Sequence, residues 1–161
     1  MVKLLSVKAQ VFSFDFIIAC SIFILFLVVL YGYWTYSYIE IEETRSINRM
    51  IDKANLASQA WFREGTPKYW NSSNVIEMGL KNNHEFNQTK MNSLNTSLGY
   101  NRTKSLLDIV GYEYFFKVYN ATNDTVFSFG LYPSNPENLV KVKRIGILND
   151  TIVTIDVLVW K

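Results

Sequence analysis

From Phe16 to Tyr38 the chain is an apolar run that meets no charge until Glu40, and then its pattern changes. Beyond it, Ile39, Ile47, Ile51, Ala54, Ser58 and Trp61 recur at spacings near three and four, with Glu42, Glu43, Arg45, Arg49, Lys53 and Arg63 falling mostly between them. That is the rhythm of a helix with one apolar stripe. The two stretches join without a breaker, since Gly32 is tolerated in an apolar helix, so the spacing predicts one continuous helix from about Val11 to Phe62. Gly65-Thr66-Pro67 is read as its stop, Gly as a C-terminal cap and Pro as a residue that cannot continue the helix.

After a loop over Tyr69 to Asn74, the residues Val75 to Leu80 read as a short strand and Asn82-Asn83-His84 as a turn. Two short helices are predicted at about Asn87 to Leu98 and Asn101 to Ile109, each opened by an Asn able to cap its first turn. In the last fifty residues the rhythm changes to two. Tyr112, Tyr114, Phe116 and Val118 alternate with Glu113, Phe115, Lys117 and Tyr119, residues 120–124 turn the chain, and Thr125 to Phe129 returns. After a loop with Pro133 and Pro136, Leu139 to Leu148 and Thr151 to Trp160 form a second hairpin about Asn149-Asp150. Val140 and Val142 share one face of their strand and Ile145 and Ile147 the other, which predicts a bulge near Lys143-Arg144. The fold class expected is α+β, a long N-terminal hydrophobic spine helix packed against a small antiparallel β-sheet domain with short helices.

At about 1.5 Å rise per residue, the run from Phe16 to Tyr38 is long enough to cross the roughly 30 Å hydrocarbon core of a bilayer. Lys3 and Lys8 precede it and Glu40, Glu42 and Glu43 follow, a bias that places the N-terminus in the cytoplasm and the rest outside. Tyr31, Tyr33, Trp34, Tyr36 and Tyr38 then fall at the outer headgroup level, where a ring stays apolar while its polar edge is wet. A cleaved secretory signal fits poorly, because its apolar core would be shorter and end in small residues.

Composition narrows the function. The formal charge of +2, with no basic cluster beyond Lys141, Lys143 and Arg144, gives no support for a nucleic-acid partner. The single Cys20 lies inside the apolar run, so the outer domain must be held by packing rather than by an intrachain disulfide. His84, the only His, has no Cys or carboxylate at metal-ligand spacing, which leaves no metal site to propose. Neither a nucleophile elbow nor a Gly-rich phosphate loop is present, so the reading is non-enzymatic and without a cofactor.

Asp15, between Phe14 and Phe16 at the inner edge of the run, does not suit a plain anchor. An ionised carboxylate there is costly unless it reaches the headgroups or finds a partner. The residues around it, Lys8-Ala9-Gln10-Val11-Phe12-Ser13-Phe14-Asp15-Phe16, resemble the class III signal peptide of archaeal type IV pilin-like proteins. In that family a short basic leader ends in a small residue followed by Gln, a hydroxyl residue follows, and an acidic residue precedes a long hydrophobic helix. The resemblance implies cleavage by a membrane-embedded prepilin peptidase between Ala9 and Gln10, with Gln10-Val11 as the second choice. Ala9 stands where Gly is commoner, and Asp15 lies one residue further from the cut than in many pilins. It also implies assembly through Phe12, Ser13 and Asp15, the new α-amino group of one subunit neutralising Asp15 of its neighbour and setting the axial register.

On that resemblance the chain divides into a leader (1–9), a transmembrane and assembly helix (10–38), an amphipathic continuation (39–63) and an extracellular α+β domain (64–161). The later order of a Trp-Phe-Arg helix end, a Gly-Thr-Pro-Lys-Tyr-Trp loop, Asn-led helices and closing hairpins that end in Val-Trp is similar to the same family. The expected function is a structural subunit, major or minor, of an archaeal type IV pilus-like filament. Its expected partners are prepilin peptidase, identical or related subunits, and the membrane before assembly. The alternative is a monomeric surface glycoprotein on a permanent single-span anchor, acting as a binding or envelope module. Beyond the span, Asn71, Asn87, Asn95, Asn101, Asn120, Asn123 and Asn149 each stand in an Asn-X-Ser/Thr acceptor sequence, the pattern of a glycosylated surface domain. Asn87 and Asn101 have a second reading as helix caps, and Asn149 as a turn residue.

Overall fold

The computed structural model describes the backbone from Lys3 onward and the side chains from Phe14 onward. A single helix, α1, runs Lys3–Trp61, and the chain divides into two compact units, Met1–Arg45 and Ser46–Lys161. Among the described residues, the first unit is helix alone. Its stretch from Phe14 onward is apolar and long enough to cross a membrane, and none of its most apolar window is buried within the chain.

In the second unit, Met50, Ala54, Ala57, Ser58 and Trp61 form the buried stripe of α1. The stripe is narrower than the expected one and shifted from it. Ala54, Ser58 and Trp61 belong to it, whereas Ile51 is 37% exposed and Ile39, in the first unit, 61% exposed. The small residues at 54, 57 and 58 are fully buried, and Trp61 packs its ring 4.9 Å from that of Phe116. The helix stops before the expected breaker. Phe62 and Arg63 close it by donating to Gln59 and Ala60 carbonyls, and Gly65, at φ +82°, lies in the following loop beneath Trp70 rather than capping the helix.

That loop replaces the strand expected over Val75 to Leu80. Its only ladder element is an isolated bridge between Thr66 and Glu77, and the Trp70 indole donates to the Gly79 carbonyl at 2.7 Å. A Cβ on Gly79 would collide with the backbone of Arg63 and Gly65, so glycine is what lets the two limbs touch. The expected turn at Asn82-Asn83-His84 is present, with Asn83 at φ +59°, but it joins two-residue strands, β1 (Lys81–Asn82) and β2 (Glu85–Phe86).

The first predicted short helix is α2 (Gln88–Ser93), continued by a π-helical turn over Leu94–Leu98. Asn87 caps it as expected, its Oδ1 accepting from the Lys90 amide at 3.0 Å. The second, α3 (Tyr100–Leu106), begins at Tyr100 with Gly99 in the capping position, so Asn101 lies inside the helix and does not cap it.

A four-stranded antiparallel sheet follows, made of β3 (Glu113–Tyr119), β4 (Thr125–Gly130), β5 (Leu139–Leu148) and β6 (Thr151–Trp160), in the order β4-β3-β6-β5. Both predicted hairpins are present, and β3 buries Tyr114, Phe116 and Val118 as the alternation requires. The bulge expected at Lys143-Arg144 is absent: the β5·β6 register runs unbroken from Leu139↔Trp160 to Leu148↔Thr151. Strand β5 keeps one inward row, Val140, Val142, Arg144, Gly146 and Leu148, and leaves Ile145 70% and Ile147 40% exposed. The irregularity lies instead between Val118 and Tyr119, where β4 pairs with β3. Arg144 reaches inward without burying a bare charge, because its Nε donates to Ser58 Oγ at 2.8 Å and its guanidinium stacks over Phe62.

Candidate functional site

On the first unit, the surface of α1 from Phe14 to Ile41 is the most apolar exposed area among the described residues. Phe14 and Phe16, which flank Asp15, are each 65% exposed, and the Asp15 side chain is exposed as well. Two hydroxyls within this stretch are turned back onto the helix. Ser21 donates to the Ile17 carbonyl at 2.8 Å and Thr35 to that of Tyr31 at 2.9 Å, so neither presents an unmet donor to an apolar medium. Among the described residues, Asp15 has no such partner.

The aromatic collar at Tyr31, Tyr33, Trp34, Tyr36 and Tyr38 is wholly exposed. Large rings on successive turns leave hollows between them. One, about 330 Å³, lies among Leu27, Leu30, Tyr31 and Trp34, and another, about 270 Å³, among Tyr33, Trp34, Ser37, Tyr38 and Ile41. Shallow apolar recesses of this kind accept acyl chains or the ridges of another helix. Ala9, Gln10, Phe12 and Ser13, the residues of the expected cut and of the expected assembly contact, lie outside the residues whose side chains the structure describes.

The acceptor asparagines occupy separate places on the second unit. Asn71, Asn95, Asn101, Asn123 and Asn149 are exposed, and Asn87 and Asn120 are half-buried. Asn120 is the most committed: its Oδ1 takes bonds from the Thr122 amide and hydroxyl and from the Asp124 amide, which shapes the β3–β4 connection. Antiparallel pairing of Tyr119 with Thr154 and Leu148 with Thr151 brings that connection and the β5–β6 turn to one end of the sheet. Asn120, Asn123 and Asn149 therefore gather there, at the end remote from Glu113 and Trp160. At Asn101 the partner hydroxyl, Thr103, is fully buried and donates to the Gly99 carbonyl at 2.8 Å. His84 sits exposed in the β1–β2 turn.

Several polar residues that the linear pattern did not single out hold the unit together. Lys90, 5% exposed, donates from Nζ to the carbonyls of Glu64 and Lys81 at 2.6 and 3.0 Å, tying the loop after α1 to β1. Burial lowers its pKa, and the nearby Glu64 carboxylate offsets part of that effect. Glu113 receives the Tyr100 hydroxyl and pairs with Lys104 Nζ at 2.9 Å. Burial alone would raise its pKa, but these two donors outweigh it and hold the carboxyl below the ordinary value, while burial and the same contact push the Tyr100 hydroxyl up. Asp156, 6% exposed in the middle of β6, is met by Lys141 Nζ at 2.6 Å and the Tyr119 hydroxyl at 3.4 Å. Its signal in sequence is a lone acid inside Ile-Asp-Val, which reads as an interruption until the neighbouring strands supply the partners.

Chemically, the arrangement offers an apolar rod with one carboxylate near its N-terminal end and a polar domain stiffened by local ion pairs. Compared with known proteins, the chain matches no family model, no curated protein and no solved structure.

Proposed function

We propose that the chain is a structural subunit of an archaeal type IV pilus-like surface filament, trimmed by a prepilin peptidase and polymerised through its apolar helix. The observation that carries this reading is the unpartnered apolar surface of α1 with Asp15 set among exposed Phe14 and Phe16. In the bilayer, lipid covers that surface, and assembly exchanges lipid contacts for helix contacts. Cleavage at Ala9-Gln10 creates an α-amino group that is largely protonated at neutral pH, a few residues from Asp15. When neighbouring helices pack with an axial offset, the amine of one neutralises Asp15 of the next. The pair adds little net stability, but a mis-set neighbour leaves a carboxylate unpaired in apolar surroundings, so the pair specifies register. The second unit then forms the outer surface, with sugars on its acceptor asparagines.

Mass spectrometry of the mature chain, together with electron microscopy of sheared surface material, tests this reading. A chain that begins at Gln10 and is recovered in filaments is the expected outcome. A chain that retains Met1 to Ala9 and stays in the membrane fraction overturns it in favour of the single-span surface glycoprotein.

A further inference from the structure

The outward face of the sheet is not the polar surface its position calls for. Inter-strand register sets Lys117, Asp156 and Lys143 side by side across β3, β6 and β5, with Lys141 on the same face and bonded to Asp156. Three ammonium groups thus surround one carboxylate. The Tyr119 ring lies 5.6 Å from Lys117 Nζ and 5.9 Å from Lys143 Nζ, holding both lysines over the sheet. Toward the β5–β6 turn the same face carries Ile145 (70% exposed) and the cross-strand pair Ile147 and Ile152 (40% and 66%). An apolar patch bordered by uncompensated positive charge is a binding surface that asks for an apolar and acidic partner. No acceptor asparagine lies on the strands of this face, so sugars would border it rather than cover it.

That complement exists on the chain itself. Tyr36, Ile39, Glu40 and Glu43 follow the i, i+3, i+4, i+7 spacing and so share one side of α1, where Tyr36 and Ile39 are 69% and 61% exposed. Arg45, bonded to Glu42 at 3.3 Å, falls by the same periodicity on the other side. We propose that the outward sheet face of one subunit docks the Tyr36, Ile39, Glu40 and Glu43 side of α1 from a second copy of this chain. Lys117 and Lys143 would meet Glu40 and Glu43, and Ile145 and Ile152 would meet Tyr36 and Ile39. This inference rests on the filament reading, and it adds a lateral contact outside the membrane to the helix contacts within it.

The test uses the full-length chain assembled in its own membrane. Two Cys20→Ser forms, one carrying Ile39→Cys and the other Ile152→Cys, are co-expressed and oxidised, and the cross-linked peptides are identified by mass spectrometry. A 39–152 link between the two forms is expected. In parallel, Lys117→Glu with Lys143→Glu lowers filament yield by about tenfold or more, since opposed like charges at a contact cost several kcal/mol. Adding Glu40→Lys with Glu43→Lys restores the yield, which a merely misfolded charge variant would not do. Filaments that form normally but give no 39–152 link, show no response to the charge reversals, or link position 152 to a different protein overturn the docking and leave the filament reading standing. A parent chain that never forms filaments removes both.

Discussion

At the scale of single residues, the second unit depends on a few side chains whose environment is far from water. Trp61 is fully buried against Phe116, yet its indole Nε1 has no hydrogen-bond partner among the described residues. Trp61→Ala is therefore expected to cost about 3–5 kcal/mol through the cavity it leaves. Trp61→Phe should cost clearly less, because it removes the unmet donor along with part of the volume. Urea titration of the detergent-solubilised chain, followed by circular dichroism, checks the order of the two. Glu113 supplies a pH test. Its folded pKa lies below the ordinary value of 4.5, so between those two values the folded state binds fewer protons than the unfolded state. Its contribution is complete above 4.5 and is lost as pH falls through the folded value. The melting temperature should drop through that acid window, and Glu113→Gln should flatten part of the drop by removing the titrating group that Tyr100 and Lys104 hold.

At the scale of elements, caps and periodicity behave unequally. Asn87 satisfies an amide of the first turn of α2, whereas Asn101 lies within α3, whose capping position is held by Gly99 without a side-chain cap. Asn87→Ala should cost about 1 kcal/mol, and Asn101→Ala should stay within about 0.5 kcal/mol, measured in the same titration. The identical Asn-X-X pattern gave both positions the same expectation, because a cap depends on the dihedral state of its residue and not on its identity. The hairpins were legible because alternation and turn residues are local. The supposed strand at Val75 to Leu80 failed because its neighbours in space, Arg63, Gly65 and Thr66, lie across a loop that no local pattern describes. The misplaced bulge came from reading Ile145 and Ile147 as core, when the sheet leaves both on its outer face and seats Gly146 under the Phe86 ring.

For the whole molecule, the filament reading places its weight on one carboxylate. Asp15→Ala should leave membrane insertion and the fold of the second unit unchanged, since Asp15 is exposed and remote in sequence from that unit, while lowering filament yield or disturbing the helical repeat. Fractionation and electron microscopy of the variant measure both, and filaments of normal number and symmetry would remove Asp15 from the assembly mechanism. By itself, the sequence determined that a long apolar helix carries a single acid near its start, that the helix continues into an amphipathic half, and that paired antiparallel hairpins close the chain. Those features follow from periodicity of two or of about 3.6 and from the solvent each face prefers, which are properties of neighbouring residues. Only the tertiary structure decided that Met50 and Ala57 rather than Ile51 join Ala54, Ser58 and Trp61 in the core, that Lys90 joins two loops, and that Asp156 is held between Lys141 and Tyr119. Burial of a particular face and satisfaction of a particular polar atom depend on groups brought close by folding from distant parts of the chain, and no window along the sequence contains them.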